Sequence, residues 1–360
     1  MNSDEAKDLL SKFEPKEVKV LEIDRQVNAA RFSPCGKFLF AGGFEGEVRR
    51  WNMVADESPQ LDPITGHSAW VQPLAFHPRD PVLFTADSWG QLRAWTYGDD
   101  ETTPKWTLDS AHDGWIRDLS VSADGEWLAS CGLDRKIRIW STRDGKLQRK
   151  IADHQHDVYA VRFHPSLATL VSSDERGIVK LWHAADGKLL RKFDASSLYL
   201  LHRLQDVGGS RVLAFDREGK TLAVGGTVPK NGATVLGVPT VLLFDYESGQ
   251  LKHTLELGKA NDCFVHDVFL HNAGFVMAVT SGTPGSGQLL MQRPEDNEPF
   301  FRYKKMANCH SLSFHPDGRH FAVTATNKGS NGNGRQLTKD GEYVGNNTPI
   351  HLFEIPEQAT

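Results

Sequence analysis

Apolar residues in this chain come in short runs broken by turn-forming residues, and the runs repeat. In VNAARFSPCGKFLFAGG, Phe32 serves as a marker. The same position recurs at Phe76, Val121, Phe163, Phe215, Leu270 and Phe314, at spacings of 44, 45, 42, 52, 55 and 44 residues. Seven residues after each marker stands a large apolar side chain: Leu39, Leu83, Leu128, Leu170, Leu222, Met277 and Phe321. Four residues after it, five of the seven units have glycine: Gly36, Gly125, Gly219, Gly274 and Gly318. A fixed period of this length marks a repeat architecture, in which each unit is one small supersecondary block.

Each unit reads as four strands. A first apolar run (LAFHP, YAVRFHP) leads into a tight turn, where glycine supplies positive φ. A second run (FLFAGG, WLASCG, TLVSSD) is bounded by Gly, Asp and Ser. A third alternates and ends on an aromatic in EVRRW, QLRAW, KIRIW and IVKLW. The fourth, as in KLQRKI and KLLRKF, carries the charges of a sheet edge. So small a sheet cannot bury both faces alone, and neighbouring units must stack.

The units resemble the WD40-repeat family. The pattern is carried by Gly66-His67 with Trp95, and by Ala111-His112 through Asp134 to Trp140. The resemblance implies a hydrogen-bonded network of His, Ser or Thr, Asp and Trp inside each blade of an all-β, seven-bladed β-propeller. Only the third unit matches all four positions, as His112, Ser130, Asp134 and Trp140. The second keeps His67, Thr85 and Trp95, and the fourth keeps His154, Ser172 and Trp182. In units five to seven the tryptophan gives way to Phe244, Met291 and Phe353, and the histidine is lost.

The expected organisation is a tail over residues 1–17 and a single propeller over 18–357. The last unit has three strands and no fourth, so the unpaired run at 18–23 (VKVLEI) is expected to complete it and close the ring. Residues 4–13 are expected to form a short amphipathic helix capped by Ser3, with Leu9, Leu10 and Phe13 apolar. Spacings of 52 and 55 point to extra sequence, read as insertions between second and third strands. These are 227–239 in the fifth unit, 281–287 in the sixth and 327–349 in the seventh. All three would emerge on one face, where a rigid scaffold carries binding loops.

That face also holds the mouth of the central channel. Four residues before each marker stand Asn28, Gln72, Arg117, Tyr159, Arg211, His266 and His310, all able to hydrogen-bond. Two positions further out are Trp70, Trp115 and Phe264. Polar groups flanked by aromatics have the composition of an interaction hot spot. Two arginines and two histidines favour an acidic or phosphorylated segment. The same side chains would also serve as channel lining that pairs with neighbouring strands.

Composition narrows the rest. The chain has 360 residues, 39% hydrophobic and 24% charged, with net charge −5. Neither nucleic acid nor a membrane surface is an expected partner. No apolar run approaches the ~18 residues of a membrane helix, and the N-terminus lacks the apolar core of a signal peptide. Cys35, Cys131, Cys263 and Cys309 lie far apart, as reduced thiols of a cytoplasmic protein do. The glycine-rich GGTVPKNG and SGTPGSG lack the following Lys-Ser/Thr of a P-loop, and there is no GxSxG or HExxH. His154 and His156 have ligand-like spacing, but His154 already has a place in the repeat. No metal or cofactor is expected. Two functional classes remain. One is a monomeric, non-catalytic interaction scaffold that binds a protein or peptide, acidic in character, through Trp70, Trp115, Arg117, Tyr159, Arg211, His266 and His310. The other is a propeller enzyme of hydrolase or lactonase type, with a site in the central channel.

Overall fold

The seven markers lie at or beside the ends of seven strands arranged around one axis. A computed structural model describes residues 3–98, 102–230, 236–262, 264–282, 287–326, 336–337, 343–344 and 347–356. The innermost strands are Val27–Phe32, Val71–Phe76, Ile116–Val121, Val158–Phe163, Gln205–Phe215, Phe264–Leu270 and Cys309–Phe314. Each touches the next, and the seventh touches the first, so the ring is closed. Every inner strand begins an antiparallel sheet that runs outward, giving a seven-bladed all-β propeller.

The seven-residue offset has a simple cause. Marker and partner face each other across the turn between first and second strands: Phe32 pairs with Leu39, Val121 with Leu128 and Phe163 with Leu170. The sixth blade departs from this, pairing Leu270 with Val276 and Phe269 with Met277. Its turn is one residue shorter. The His271 N–H bonds the Phe275 carbonyl, whereas in the fourth blade the His164 N–H reaches Thr169.

Closure follows the expected route. Strand Lys16–Leu21 pairs antiparallel with Ile350–Glu354 as the outer strand of the seventh blade, so one sheet joins both ends of the chain. The core lies between blades. Val171, Val179 and Phe193 of the fourth blade pack with Leu213, Val224 and Phe244 of the fifth. Burial of such side chains stabilises by roughly 1.5–3 kcal/mol each, and it becomes available only when neighbours stack.

A helix spans Ser3–Phe13. Phe13 is buried with Phe275, Met291 and Phe300, and Leu9 and Leu10 pack against the same cluster on blades six and seven. The Ser3 side chain lies outside the described ones. No helix among the described residues is long and apolar enough to cross a membrane.

The insertions are extended hairpins. In the fifth blade the second and third strands run on to Pro229 and Gly237, and residues 231–235 lie outside the described ones. In the sixth, Ser281 pairs with Gly287, and 283–286 lie outside. In the seventh, 336–337 pair with 343–344, and most of the remainder lies outside. The 52-residue spacing has a different origin from the one expected. Its extra residues precede the fifth blade's inner strand, where Tyr199–His202 pairs back on Gln205–Gly208 as a hairpin. Arg203 and Leu204 occupy its two-residue turn, both at positive φ.

Candidate functional site

Each of the seven channel residues sits where the pairing of its inner strand is interrupted. The register skips Asn28, Arg117, Tyr159, Arg211, His266 and His310 singly, and Gln72 together with Pro73. A bulge leaves a residue out of the ladder and re-aims its side chain. The result is a ring: all seven side chains line one cavity of about 180 Å³ at the channel.

Four blades build an alternating ladder of rings and cations within it. The Arg117 guanidinium lies 3.7 Å from the centre of the Trp115 ring and 4.8 Å from that of Tyr159. Arg211 lies 5.8 Å from Tyr159 and 4.0 Å from Phe264. Aromatic faces attract cations but do not neutralise them. The Nε–H groups of Arg117 and Arg211 are buried and donate to no acceptor, and neither arginine forms an ion pair among the described residues. Burial pulls both guanidinium pKa values down, which marks charges that are incompletely solvated.

The histidines contribute differently from the arginines. Burial, with His310 and Arg211 nearby, holds His266 well below its ordinary range, and burial brings His310 down to about 4. Both are uncharged at neutral pH, with rings edge to face at 5.9 Å. His310 Nε2 meets Thr326 Oγ1 at 2.9 Å. The positive charge at the mouth therefore comes from the two arginines.

Deeper in the channel, charges are paired. Arg162 bonds Asp118 at 2.7 Å and Arg31 bonds Asp267 at 2.8 Å. The same carboxylates accept the N–H of Val161 and of Leu312 from the next blade, each at 3.0 Å. These aspartates brace blade to blade, and both are already committed to cations and N–H donors.

Beside the ladder lies an aromatic shelf. Phe44 and Trp70 are 4.9 Å apart, and Trp70 and Trp115 are 5.9 Å apart. With Trp89 they line a groove of about 460 Å³. Trp70 is 45% exposed and Trp89 is 68% exposed. Phe44 and Trp89 escaped the sequence reading because both stand in short turns outside the periodic strands.

The turn that presents Trp89 is held by the intrablade network. Trp95 Nε1–H donates to Thr85 Oγ1 (2.8 Å), the hydroxyl donates to His67 Nε2 (2.6 Å), and His67 Nδ1–H donates to Asp87 (3.1 Å). Asp87 also accepts the Trp89 and Gln91 N–H groups. Burial would raise this carboxyl's pKa, but the hydrogen bonds from His67 and the two N–H groups hold it below the usual range. The third blade has the expected His112, Ser130, Asp134 and Trp140 relay, with the His–Asp bond at 2.9 Å. The fourth is complete too: Trp182 to Ser172, Ser172 to His154, and His154 to Asp174 at 2.9 Å. The expectation of a single complete network is corrected to three. In the second and fourth blades the aspartate closes the second strand, two residues earlier relative to the histidine than Asp134 does.

The insertion hairpins meet this same face. Ser281 contacts Asn308 at 3.2 Å, and Thr348 bonds the Arg25 carbonyl and the Val27 N–H. On the opposite face, His315, Asp317 and His320 converge. There His315 Nε2–H donates to the Gly36 carbonyl and Nδ1 accepts the Asp317 N–H, so both ring nitrogens are engaged.

Comparison with known proteins agrees with this geometry. The family profile described as "WD domain, G-beta repeat" matches residues 16–52, 102–141 and 145–183. Periodic tryptophan protein 2 of Arabidopsis thaliana is 24% identical over 83% of this chain and 39% of its own length. A probable coatomer subunit beta' of Schizosaccharomyces pombe is 28% identical over 36% of this chain and 16% of its own. The WD repeat-containing protein JIP5 of Cryptococcus neoformans is 30% identical over 35% of this chain and 37% of its own. The chain thus spans well under half the length of each of these relatives. With three complete His–Ser/Thr–Trp–Asp relays, the chain carries WD40-type repeats where the profile matches, within 16–183, and folds as a seven-bladed β-propeller.

Proposed function

We propose that this chain is a non-catalytic interaction scaffold that docks an acidic protein or peptide segment at its channel mouth. The observation that carries the reading is the Trp115–Arg117–Tyr159–Arg211–Phe264 ladder, with two guanidinium groups held by aromatic faces and neither in a close ion pair among the described residues, Asp157 acting on Arg117 only from a distance. A carboxylate or phosphate entering the channel would supply charge-assisted hydrogen bonds that the fold itself withholds. The adjoining groove of Phe44, Trp70, Trp89 and Trp115 offers a seat for a bulky side chain of the same segment, the aromatic anchor chemistry of interaction hot spots. The coatomer relative is named as a subunit, in keeping with a protein partner.

An enzyme in the channel has less support. Asp118 and Asp267, which line it, are each spent on an arginine and a backbone N–H, and the two histidines are buried against one another. Affinity capture tests the scaffold reading. The wild-type chain is expected to retain partners that elute with rising salt. The Arg117→Ala/Arg211→Ala double variant is expected to lose them while remaining folded. Retention of every partner by the double variant would remove the basis of the proposal.

A further inference from the structure

Three junctions between blades are closed by a histidine from the turn after the inner strand. His164 accepts the N–H groups of Ser166 and Leu167 on Nδ1, and its Nε2–H donates to the Gly219 carbonyl of the next blade at 3.0 Å. His315 repeats this toward Gly36. His77 accepts the N–H groups of Arg79 and Asp80 and lies against Gly125. The fit is tight. A Cβ built on any of these three glycines would stand 2.2–2.3 Å from the facing imidazole.

At the junction of the fifth and sixth blades the turn residue is Asp216. It is shorter than histidine and accepts hydrogen bonds where histidine donates. The glycine facing it, Gly274, has nothing within 4 Å of a built Cβ. In place of the imidazole there is a cavity of about 570 Å³, with Leu243, Leu270, Phe275 and Val276 among its walls. One oxygen of Asp216 is buried there without a hydrogen-bond partner. His271, also on the wall, is stacked on Phe275 at 4.4 Å. An unmade hydrogen bond at a buried oxygen is costly, and a donor brought from outside would recover it.

We propose that this cavity binds an arginine guanidinium, which occupies the slot filled by histidine at other junctions and pairs with Asp216. The slot accepts a planar group, as the imidazoles of His77, His164 and His315 show, and a guanidinium is planar with N–H donors along its edge. One edge meets the Asp216 carboxylate. The other reaches toward the Gly274 backbone, as the histidines reach toward Gly219 and Gly36, and the apolar walls suit the side-chain stem. His271, whose pKa burial lowers to about 4, adds no competing charge at neutral pH. The two exposed rim charges, Arg217 and Glu218, offset each other.

The guanidinium could belong to free arginine or to an arginine within a partner chain. Methyl NMR of Leu243, Leu270 and Val276 tests both, with L-arginine, N-acetyl-L-arginine methylamide and L-citrulline as probes. Saturable shifts are expected with arginine compounds and not with citrulline. Binding should weaken at least tenfold in Asp216→Asn. It should vanish in Asp216→His, a variant that restores the imidazole and is expected to fold at least as stably. Tighter binding of the free amino acid identifies a metabolite, and equal or tighter binding of the blocked form identifies a chain-borne residue. Absence of shifts with both arginine compounds, equal shifts with citrulline, or unchanged affinity in Asp216→Asn would overturn the proposal. The cavity lies on the face opposite the Arg117–Arg211 ladder, so its result is independent of the channel experiments.

Discussion

Blades two to four and blades five to seven reach the same fold by different chemistry. In the former, a Ser or Thr hydroxyl links a tryptophan to a histidine, and an aspartate completes the relay. In the latter, the hydroxyl position holds Val224, Val279 or Val323, and the tryptophan becomes Phe244, Met291 or Phe353, all buried. Polar and apolar versions are each complete. A buried hydroxyl without its histidine would be a liability, and so would a buried histidine without its hydroxyl. The difference teaches that the hydroxyl and the histidine are exchanged together, whereas the tryptophan can stay without them, as Trp51 does beside Ala41 in the first blade.

Mixing the two versions should break that comparison most strongly. Ser172→Ala leaves the Trp182 N–H and His154 Nε2 buried and unpaired, for an expected loss of about 1–3 kcal/mol. Val224→Ser buries a hydroxyl without a partner in the fifth blade and should cost a similar about 1–3 kcal/mol. Denaturant unfolding measures both. Two near-zero values would show that the relay is not an integrated set.

The junction glycines sharpen the comparison at intermediate size. Gly219→Ala adds a Cβ at φ +74°, 2.2 Å from the His164 ring, whereas Gly274→Ala at φ +84° meets open space. The second should cost only the roughly 1–2 kcal/mol of a left-handed backbone. The first should cost clearly more, because an imidazole fixed by three hydrogen bonds must move. Equal melting temperatures for the two variants would refute the closure of the junction by His164.

Acid should give a gradual effect. His67, His112, His271 and His310 have pKa values depressed by burial, His271 and His310 to about 4. Below the unfolded value of about 6.5 the unfolded chain takes up protons that these groups refuse. Stability is therefore expected to be full above pH 6.5 and to fall as pH drops toward 4. Thermal melts at stepped pH check this, and a flat profile over that window would contradict it.

Much of this was legible in the repeat. The seven-residue offset is a cross-turn pair, and the channel ring was found because bulges occur at one fixed distance from the marker. The closing strand showed itself as an apolar run with no other partner. Features that break the period stayed hidden. Asp87 and Asp174 sit two residues off the third blade's pattern, and Phe44 and Trp89 lie in turns with no periodic partner. The hairpin at 199–208 lies inside the 52-residue spacing from 163 to 215, an interval that holds none of the expected insertions. The empty junction at Asp216 shows only when that residue is set against the imidazoles of three other blades in space.

Docking of an acidic segment at the channel mouth is tested most sharply by fluorescence anisotropy of a labelled acidic peptide containing one aromatic residue, titrated with wild type and with Arg117→Gln/Arg211→Gln. Binding to wild type is expected to be saturable and salt-sensitive, and to weaken at least tenfold, or about 1.4 kcal/mol, in the double variant. Equal affinity for both proteins, or no binding to wild type, would contradict it.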